Sequence, residues 1–247
     1  MEKKKIHKLK ILAVVGLRSG SKGLKNKNIK KLNGKPLFHY ISNAAKKSKY
    51  INRIIFSTDS TKYQKIIKKH KLECPYLRPK KLSKDSSNEI DFIKDLLGKL
   101  KKYENYNPEI IVRLLATCPF QKTHDIDKAI KLVIKNKYNC SVVISKAKQH
   151  PEKALKIIGS KKKYLTTYIN DTPLKVGSKL NRQSLNQAYF RSNVIVCRKD
   201  IIKKYNSLTS NKIGYVITKN NLDIDTIDDF NFASFLIKKY YKYLINS

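Results

Sequence analysis

Two stretches of the chain hold residue types suited to chemistry on anions. The first, "RSGSKGLKNKNI", places Arg18, Ser21, Lys22, Lys27 and Asn28 directly behind the apolar run Ile11–Gly16. Glycines let backbone N–H groups approach an anion closely, and Arg18, Lys22 and Lys27 neutralise phosphate charge, so the stretch fits a phosphate cradle. It matches neither the GxxxxGK(S/T) nor the GxGxxG pattern, and a flexible basic surface loop stays open as the plainer reading. The second stretch is "DIDT", with Asp223 and Asp225 two residues apart. On an extended segment such carboxylates point to the same side. Helix capping is the plain alternative here, and Asp228 and Asp229 suit it, since acids favour the positive end of a helix dipole.

These residues need a frame. Short β-rich runs at residues 11–16, 53–57, 110–115, 140–145, 193–198 and 214–218 alternate with helical patterns at 36–48, 61–70, 89–103 and 125–136. This rhythm predicts an α/β fold, a mostly parallel central sheet flanked by helices. A glycine-rich loop after the first strand of such a sheet lies at its carboxyl edge, where ligands bind. Pro36 suits a first helical turn, and Thr123 or Asp125 suits the cap of the helix that follows. In the closing pattern, Phe230, Ala233, Ile237, Tyr241 and Leu244 share a helical face and predict a final helix docked on the sheet. The segment from residue 149 to 193 is polar and turn-rich, and reads as a protruding lobe.

Composition bounds the function. Lysine and arginine total 55 against 18 acids, a net charge of +37 in 247 residues. That balance ordinarily suggests nucleic acid. Here the lysines spread over the whole length without a stripe, so they read as solvated faces. Arginine stands only at positions 18, 53, 78, 113, 182, 191 and 198; in a chain that uses lysine by default, arginine suits planar, two-donor contacts. Cys74, Cys118, Cys140 and Cys197 lie far apart and form no CxxC pair, as expected for free thiols in a reducing compartment. The apolar run at 11–16 is shorter than the roughly 7–15 residues of a signal segment, and nothing approaches the roughly 20 of a membrane span. A cytoplasmic protein without a membrane partner is the expectation.

Several ordered motifs resemble the CMP-sugar synthetases, in particular the acylneuraminate cytidylyltransferases. They are Arg18, Ser21-Lys22-Gly23, Lys27-Asn28-Ile29, Gly34-Lys35-Pro36-Leu37, "YLRP" at 76–79, "HPEKALKI" at 150–157, "RQSLNQAYFRSN" at 182–193 and "LDIDTIDDF" at 222–230. The resemblance implies a Rossmann-like nucleotidyltransferase fold over residues 1–247 as one domain, with a dimerisation arm at about 149–193. It implies transfer of CMP from CTP to the anomeric hydroxyl of an acidic sugar, with release of pyrophosphate, by a homodimer. By similarity, Arg18, Ser21, Lys22, Lys27 and Asn28 hold the nucleotide and its phosphates. Arg78 and Ser86 or Ser87 meet the cytosine. Asp223 and Asp225 hold Mg²⁺, Asp225 with a catalytic role beside Arg18, Lys22 and Lys27. Thr117, Lys153, Arg182 and Arg191 face the sugar.

Two positions depart from the family pattern. Leu115 stands where the family has a glutamine that recognises the sugar, and Val194 stands where it has glycine. Both lie on the sugar side, so the resemblance constrains cytidylyl transfer more tightly than the acceptor, which is an acylneuraminate, another nonulosonic acid or a 3-deoxy octulosonic acid. A basic nucleotide- or nucleic-acid-binding protein without turnover is the reading from a different class. Cys118, in the same loop as Leu115, reads as a small packing residue.

Overall fold

The run Ile11–Gly16 is strand β1, with five of its six residues buried, as a parallel strand covered on both faces requires. The computed structural model describes residues 9–21, 23–135, 137–160, 162–170, 185–219 and 222–245. Two short strands follow, β2 (Lys31–Leu32) and β3 (Lys35–Pro36), then β4 (Arg53–Ser57), β5 (Ile110–Leu114) and β6 (Cys140–Lys146). The set closes with β7 (Leu155–Ile158), β8 (Tyr164–Thr167), β9 (Tyr189–Arg198) and β10 (Ile213–Ile217). Six of these form one sheet in the order β10-β6-β9-β5-β1-β4. β1 pairs in parallel with β4 and β5, and β6 with β10, while β9 runs antiparallel between β5 and β6. The sheet is mostly parallel, as the alternating pattern predicts.

Helices cover both faces: α1 (Phe38–Lys46), α2 (Thr61–Lys69), α3 (Glu89–Glu104), α4 (Thr123–Ile134), α5 (Lys199–Tyr205) and α6 (Ile227–Ile245). Side chains alternate across a strand, and β1 divides accordingly. Ile11, Ala13 and Val15 pack with Phe38 and Ile41 of α1, Ile67 of α2 and Ile130 of α4. Leu12 and Val14 pack with Ile93, Leu96 and Leu100 of α3 and Ile201 of α5.

Local chemistry moves several boundaries. Asn33 and Gly34 have φ of 47° and 76° and join β2 to β3; Asn-Gly with both residues left-handed is the favoured two-residue hairpin turn. That hairpin takes Pro36, so α1 starts at Phe38 and the expected first-turn proline is a strand residue. α4 begins at Thr123, capped at position Lys122 without a side-chain bond. Neither Thr123 nor Asp125 is the cap, because the Thr123 hydroxyl donates to the Ala44 carbonyl at 2.9 Å. The helix ends at Ile134, short of residue 136. The seven-residue α5 and the β7–β8 hairpin were not expected; both are too short or too polar to show periodicity.

The last helix also docks differently. Phe230, Ala233 and Ile237 pack with Leu24, Leu32, Leu37, Tyr40, Phe120 and Ile224, not with the sheet. Leu24 belongs to the glycine-rich turn and Ile224 lies between the two aspartates. One apolar cluster therefore clamps both chemical stretches onto α1 and the β2–β3 hairpin. The Tyr241 and Leu244 side chains lie outside the described residues.

Candidate active site

The turn after β1 is built to hold its shape. Ser19 donates to Asp59 through both its backbone N–H, at 2.9 Å, and its hydroxyl, at 2.8 Å. Asn28 is buried and its amide donates to the Arg18 carbonyl at 3.1 Å. Asn26 takes a left-handed φ of 56° and accepts from the Tyr63 hydroxyl at 3.2 Å. A flexible loop would need none of these anchors.

The acidic stretch meets this turn. Asp223 and Asp225 are exposed on either side of the fully buried Ile224, so their carboxylates share a side as the two-residue spacing predicts. The Ile224 N–H donates to the Thr117 carbonyl at 2.9 Å, tying the aspartates to the loop after β5. Lys27 Nζ lies 2.6 Å from Asp225 Oδ1. A Cβ placed on Gly23 would sit 2.6 Å from the Asp225 carbonyl oxygen. Gly23 is thus required by close approach of two backbones. Gly23→Ala is expected to cost about 1–3 kcal/mol through overpacking, a fall of about 2–12 °C in Tm, with a parallel loss of nucleotide affinity. Calorimetry checks both; an unchanged Tm would show that the two segments part freely.

Helix capping occurs one step beyond the aspartate pair. The Thr226 hydroxyl accepts from the Asp229 N–H at 3.2 Å, and Asp229 Oδ2 accepts from the Thr226 N–H at 2.8 Å. This reciprocal pair is a capping box. Hydrogen bonding to Thr226 holds the Asp229 carboxyl below its ordinary pKa. Asp229 caps α6, which leaves Asp223 and Asp225 outside the capping pair.

A cavity of about 640 Å³ lies between the two stretches, within the range of about 300–1,000 Å³ for small-molecule sites. Arg18, Ser21, Lys27, Asn28, Arg78, Ser87, Thr117, Asp223 and Asp225 all line it, as does Leu115. It opens outside the carboxyl ends of β1 and β5, where the strand order reverses beside β1, the usual ligand crevice of open α/β sheets. Ser86 is exposed and is not among the lining residues, so Ser87 is the serine of that pair which reaches the cavity. Lys22 and Arg182 lie outside the described residues.

Arg78 forms part of the cavity floor. It is buried, donates to the Ser57 carbonyl at 2.8 Å and to the Ser57 hydroxyl at 3.1 Å, and stacks 3.8 Å above the centroid of Phe92. Burial lowers its pKa to about 10, which leaves it charged at neutral pH. Two cations of the cavity are paired: Arg18 Nη1 is 2.6 Å from Asp85 Oδ1, and the half-buried Lys27 is equally close to Asp225 Oδ1. Asp59, Asp85, Glu89 and Phe92 were not expected. Asp59 was the most findable, since "STD" closes β4 at the ligand edge of the sheet.

Two expected sugar-side residues sit apart from this cavity. Lys153 lines a second one of about 660 Å³ with Lys146, Lys148, His150, Phe190 and Asp223. Arg191 lines a third of about 320 Å³ with Asn88 and Glu89. Asp223 thus borders the first and second cavities, and Glu89 the first and third. Cys118 is buried, and burial followed by the charge of Asp223 pushes its thiol well above the ordinary range. It is a packing residue, not a thiolate nucleophile.

A mostly parallel sheet with an anchored cationic turn and an acid pair at its carboxyl edge defines a nucleotide-binding α/β protein. A model of the cytidylyltransferase family matches residues 12–244, and the chain belongs to that family of nucleotidyltransferases. It is 28% identical to the post-translational flagellin modification protein B of Campylobacter coli, over 93% of this chain and 95% of that one. It is 31% identical to an N-acylneuraminate cytidylyltransferase of Escherichia coli over 91% of this chain, and spans 51% of that relative's length. Among solved structures it resembles a CMP:2-keto-3-deoxy-manno-octonic acid synthetase complexed with CTP. The TM-score there is 0.69 at 12% identity, over 93% of this chain and 99% of that one; this likeness shows the fold.

Proposed function

We propose that the chain transfers the cytidylyl group of CTP to the anomeric hydroxyl of an acidic sugar and releases pyrophosphate. The observation that carries this reading is the meeting of the Arg18–Asn28 turn with Asp223 and Asp225 on one cavity, joined by the 2.6 Å contact between Lys27 and Asp225. Arg18, Ser21, Lys22, Lys27 and Asn28 hold the nucleotide and its triphosphate, while Arg78 and Ser87 face the base. Cationic groups fixed around the phosphates favour the charge that builds on the leaving pyrophosphate.

Asp223 and Asp225 would hold Mg²⁺. Among the described residues, no group of three or more His, Cys, Asp and Glu side chains is placed to hold a metal. Two carboxylates on one side fit an ion that takes few protein ligands and fills its remaining positions with water and phosphate oxygens. When bound, such an ion supplies further charge neutralisation on the triphosphate. The acceptor lies beside the nucleotide, with Lys146, Lys148 and Lys153 of the second cavity available to its carboxylate and Asp223 bordering both cavities. Thr117 lines the nucleotide cavity from the β5 loop, and Arg182 and Arg191 are the further acceptor-side cations that the resemblance implies, Arg191 approaching from the third cavity. Leu115 offers the sugar no hydrogen bond, so this position does not impose the selection that a glutamine would.

The enzyme acts as a homodimer. Leu155, Ile157, Tyr164 and Leu165 of the β7–β8 hairpin are exposed, and apolar groups clustered on one projecting element suit a subunit contact. A reducing compartment, the cytoplasm, suits its four buried free thiols, and among the described residues no helix is long and apolar enough to cross a membrane.

The test is pyrophosphate release from CTP and Mg²⁺ with a panel of acylneuraminic, other nonulosonic and 3-deoxy octulosonic acids. Release that depends on one acceptor is expected. Tight CTP binding with no release across the panel would overturn the transfer reading and leave a nucleotide-binding protein.

A further inference from the structure

Arg113 is a basic residue near the carboxyl end of the central strand β5, between the fully buried Val112 and Leu114, and its own side chain is nearly inaccessible. A buried guanidinium persists only with partners that offset its desolvation. It has two. Nη1 donates to the Asn193 carbonyl at 3.1 Å, and Nε lies 3.1 Å from Glu89 Oε1. Burial lowers its pKa from the ordinary value, and the nearby Glu89 carboxylate offsets part of that.

Asn193 occupies an irregular part of β9. On β6 the register advances two residues, from Val142 to Ile144, while on β9 it advances four, from Ile195 to Arg191. β9 therefore carries two extra residues on that side. A bulge interrupts the ladder and re-aims the side chains beside it, and a buried carbonyl taken out of the ladder needs another donor. Arg113 is that donor. Directly beyond the bulge stands Arg191, which lines the third cavity with Glu89, the other partner of Arg113. Glu89 is also the first residue of α3 and a wall of the nucleotide cavity.

We propose that Arg113 is a positioning residue for the acceptor half of the reaction: its guanidinium pins the β9 bulge that aims Arg191 and ties that bulge to Glu89 on the nucleotide wall. This rests on the transfer reading above. A planar fork serves two partners at fixed angles, whereas lysine supplies a point charge. Arg113→Lys keeps a cation beside Glu89 but loses the fixed fork. Arg113→Met removes both contacts, and Glu89, being partly exposed, can turn to water.

The experiment measures KM for CTP and for the preferred acceptor, together with Tm, in both variants. Loss of one charge-assisted contact corresponds to about a tenfold rise in acceptor KM, with the CTP KM expected to stay within about twofold. Lysine is expected to restore Tm but not the acceptor KM. A purely structural role predicts that lysine restores both, and that result would overturn the proposal, as would equal rises in both KM values. If the unmodified enzyme turns over no acidic sugar, the transfer reading falls and hydrogen exchange decides the case for Arg113. Faster exchange in Arg113→Met confined to residues 189–194 and the first turn of α3 upholds the pin. Unchanged exchange there overturns it.

Discussion

Asp225→Asn is expected to lower the rate of acceptor-dependent pyrophosphate release by about 10²–10³-fold at saturating CTP and sugar, the scale set by losing one electrostatic contact to developing charge. Asparagine preserves the shape of the side chain, and the contact of the Asp225 backbone carbonyl with Gly23 does not involve the carboxylate. The clamp that Ile224 forms with Leu24 and the apolar face of α6 is also untouched, so Tm is expected to hold within about 2 °C, as for surface substitutions. What disappears is one hard anionic ligand. The apparent affinity for Mg²⁺ should fall with the rate, so a Mg²⁺ titration separates loss of the ion from loss of the fold. Asp228→Asn is the matched control: Asp228 is exposed in the first turn of α6 and is not among the cavity-lining residues. A rate for Asp225→Asn within tenfold of the unmodified enzyme would remove the carboxylate pair from the chemistry.

Why the two chemical stretches were readable while their partners were not follows from how each is encoded. β1 is an unbroken apolar run, and only burial on both faces explains such a run. The pattern Asp223-Ile224-Asp225 alternates polar and apolar over three residues, and the alternation of exposed, buried and exposed side chains repeats it. Both signals are local. The partners of the cations are not: Arg18 meets Asp85, 67 residues away, and Lys27 meets Asp225, 198 residues away. No short-range pattern marks an ion pair of that kind, because its geometry exists only once the sheet has brought the loops together.

Arginine gives a middle case. Its scarcity correctly suggests planar contacts, and Arg53 bears this out, with Nε and Nη2 on Glu73 and Nη1 on Glu104. Arg113 follows the same logic inside the sheet. Its need arises from the bulge in β9, a register fault that neither strand reveals alone. The expected sugar-side cations Lys153 and Arg191 line separate cavities, each sharing one acid with the nucleotide cavity, Asp223 and Glu89 respectively. Sequence order placed both in one lobe, but strand β9 carries Arg191 back into the main sheet.

The ion pair between Lys27 and Asp225 carries the second large prediction. In the absence of nucleotide each group neutralises the other, and Asp225 is mostly exposed. With the Asp225 carboxylate in water the pair is screened and contributes little, so a triphosphate is expected to draw Lys27 away at small cost. On the proposed reading, a lysine that moves to phosphate would leave Asp225 available for a cation. Lys27→Met keeps the length of the apolar stem, which is largely buried, and removes the charge. It is expected to lower kcat/KM for CTP by about 10²-fold, the scale of one lost contact to developing phosphate charge. Mg²⁺ should bind Asp225 more readily in this variant without nucleotide, because its competitor is gone. The double variant Lys27→Met with Asp225→Asn should lose less than the product of the single losses, since the two groups act as one unit. Strict multiplication of the two effects would mean that Lys27 and Asp225 serve separate steps, and that their 2.6 Å contact plays no part in how the site loads its nucleotide.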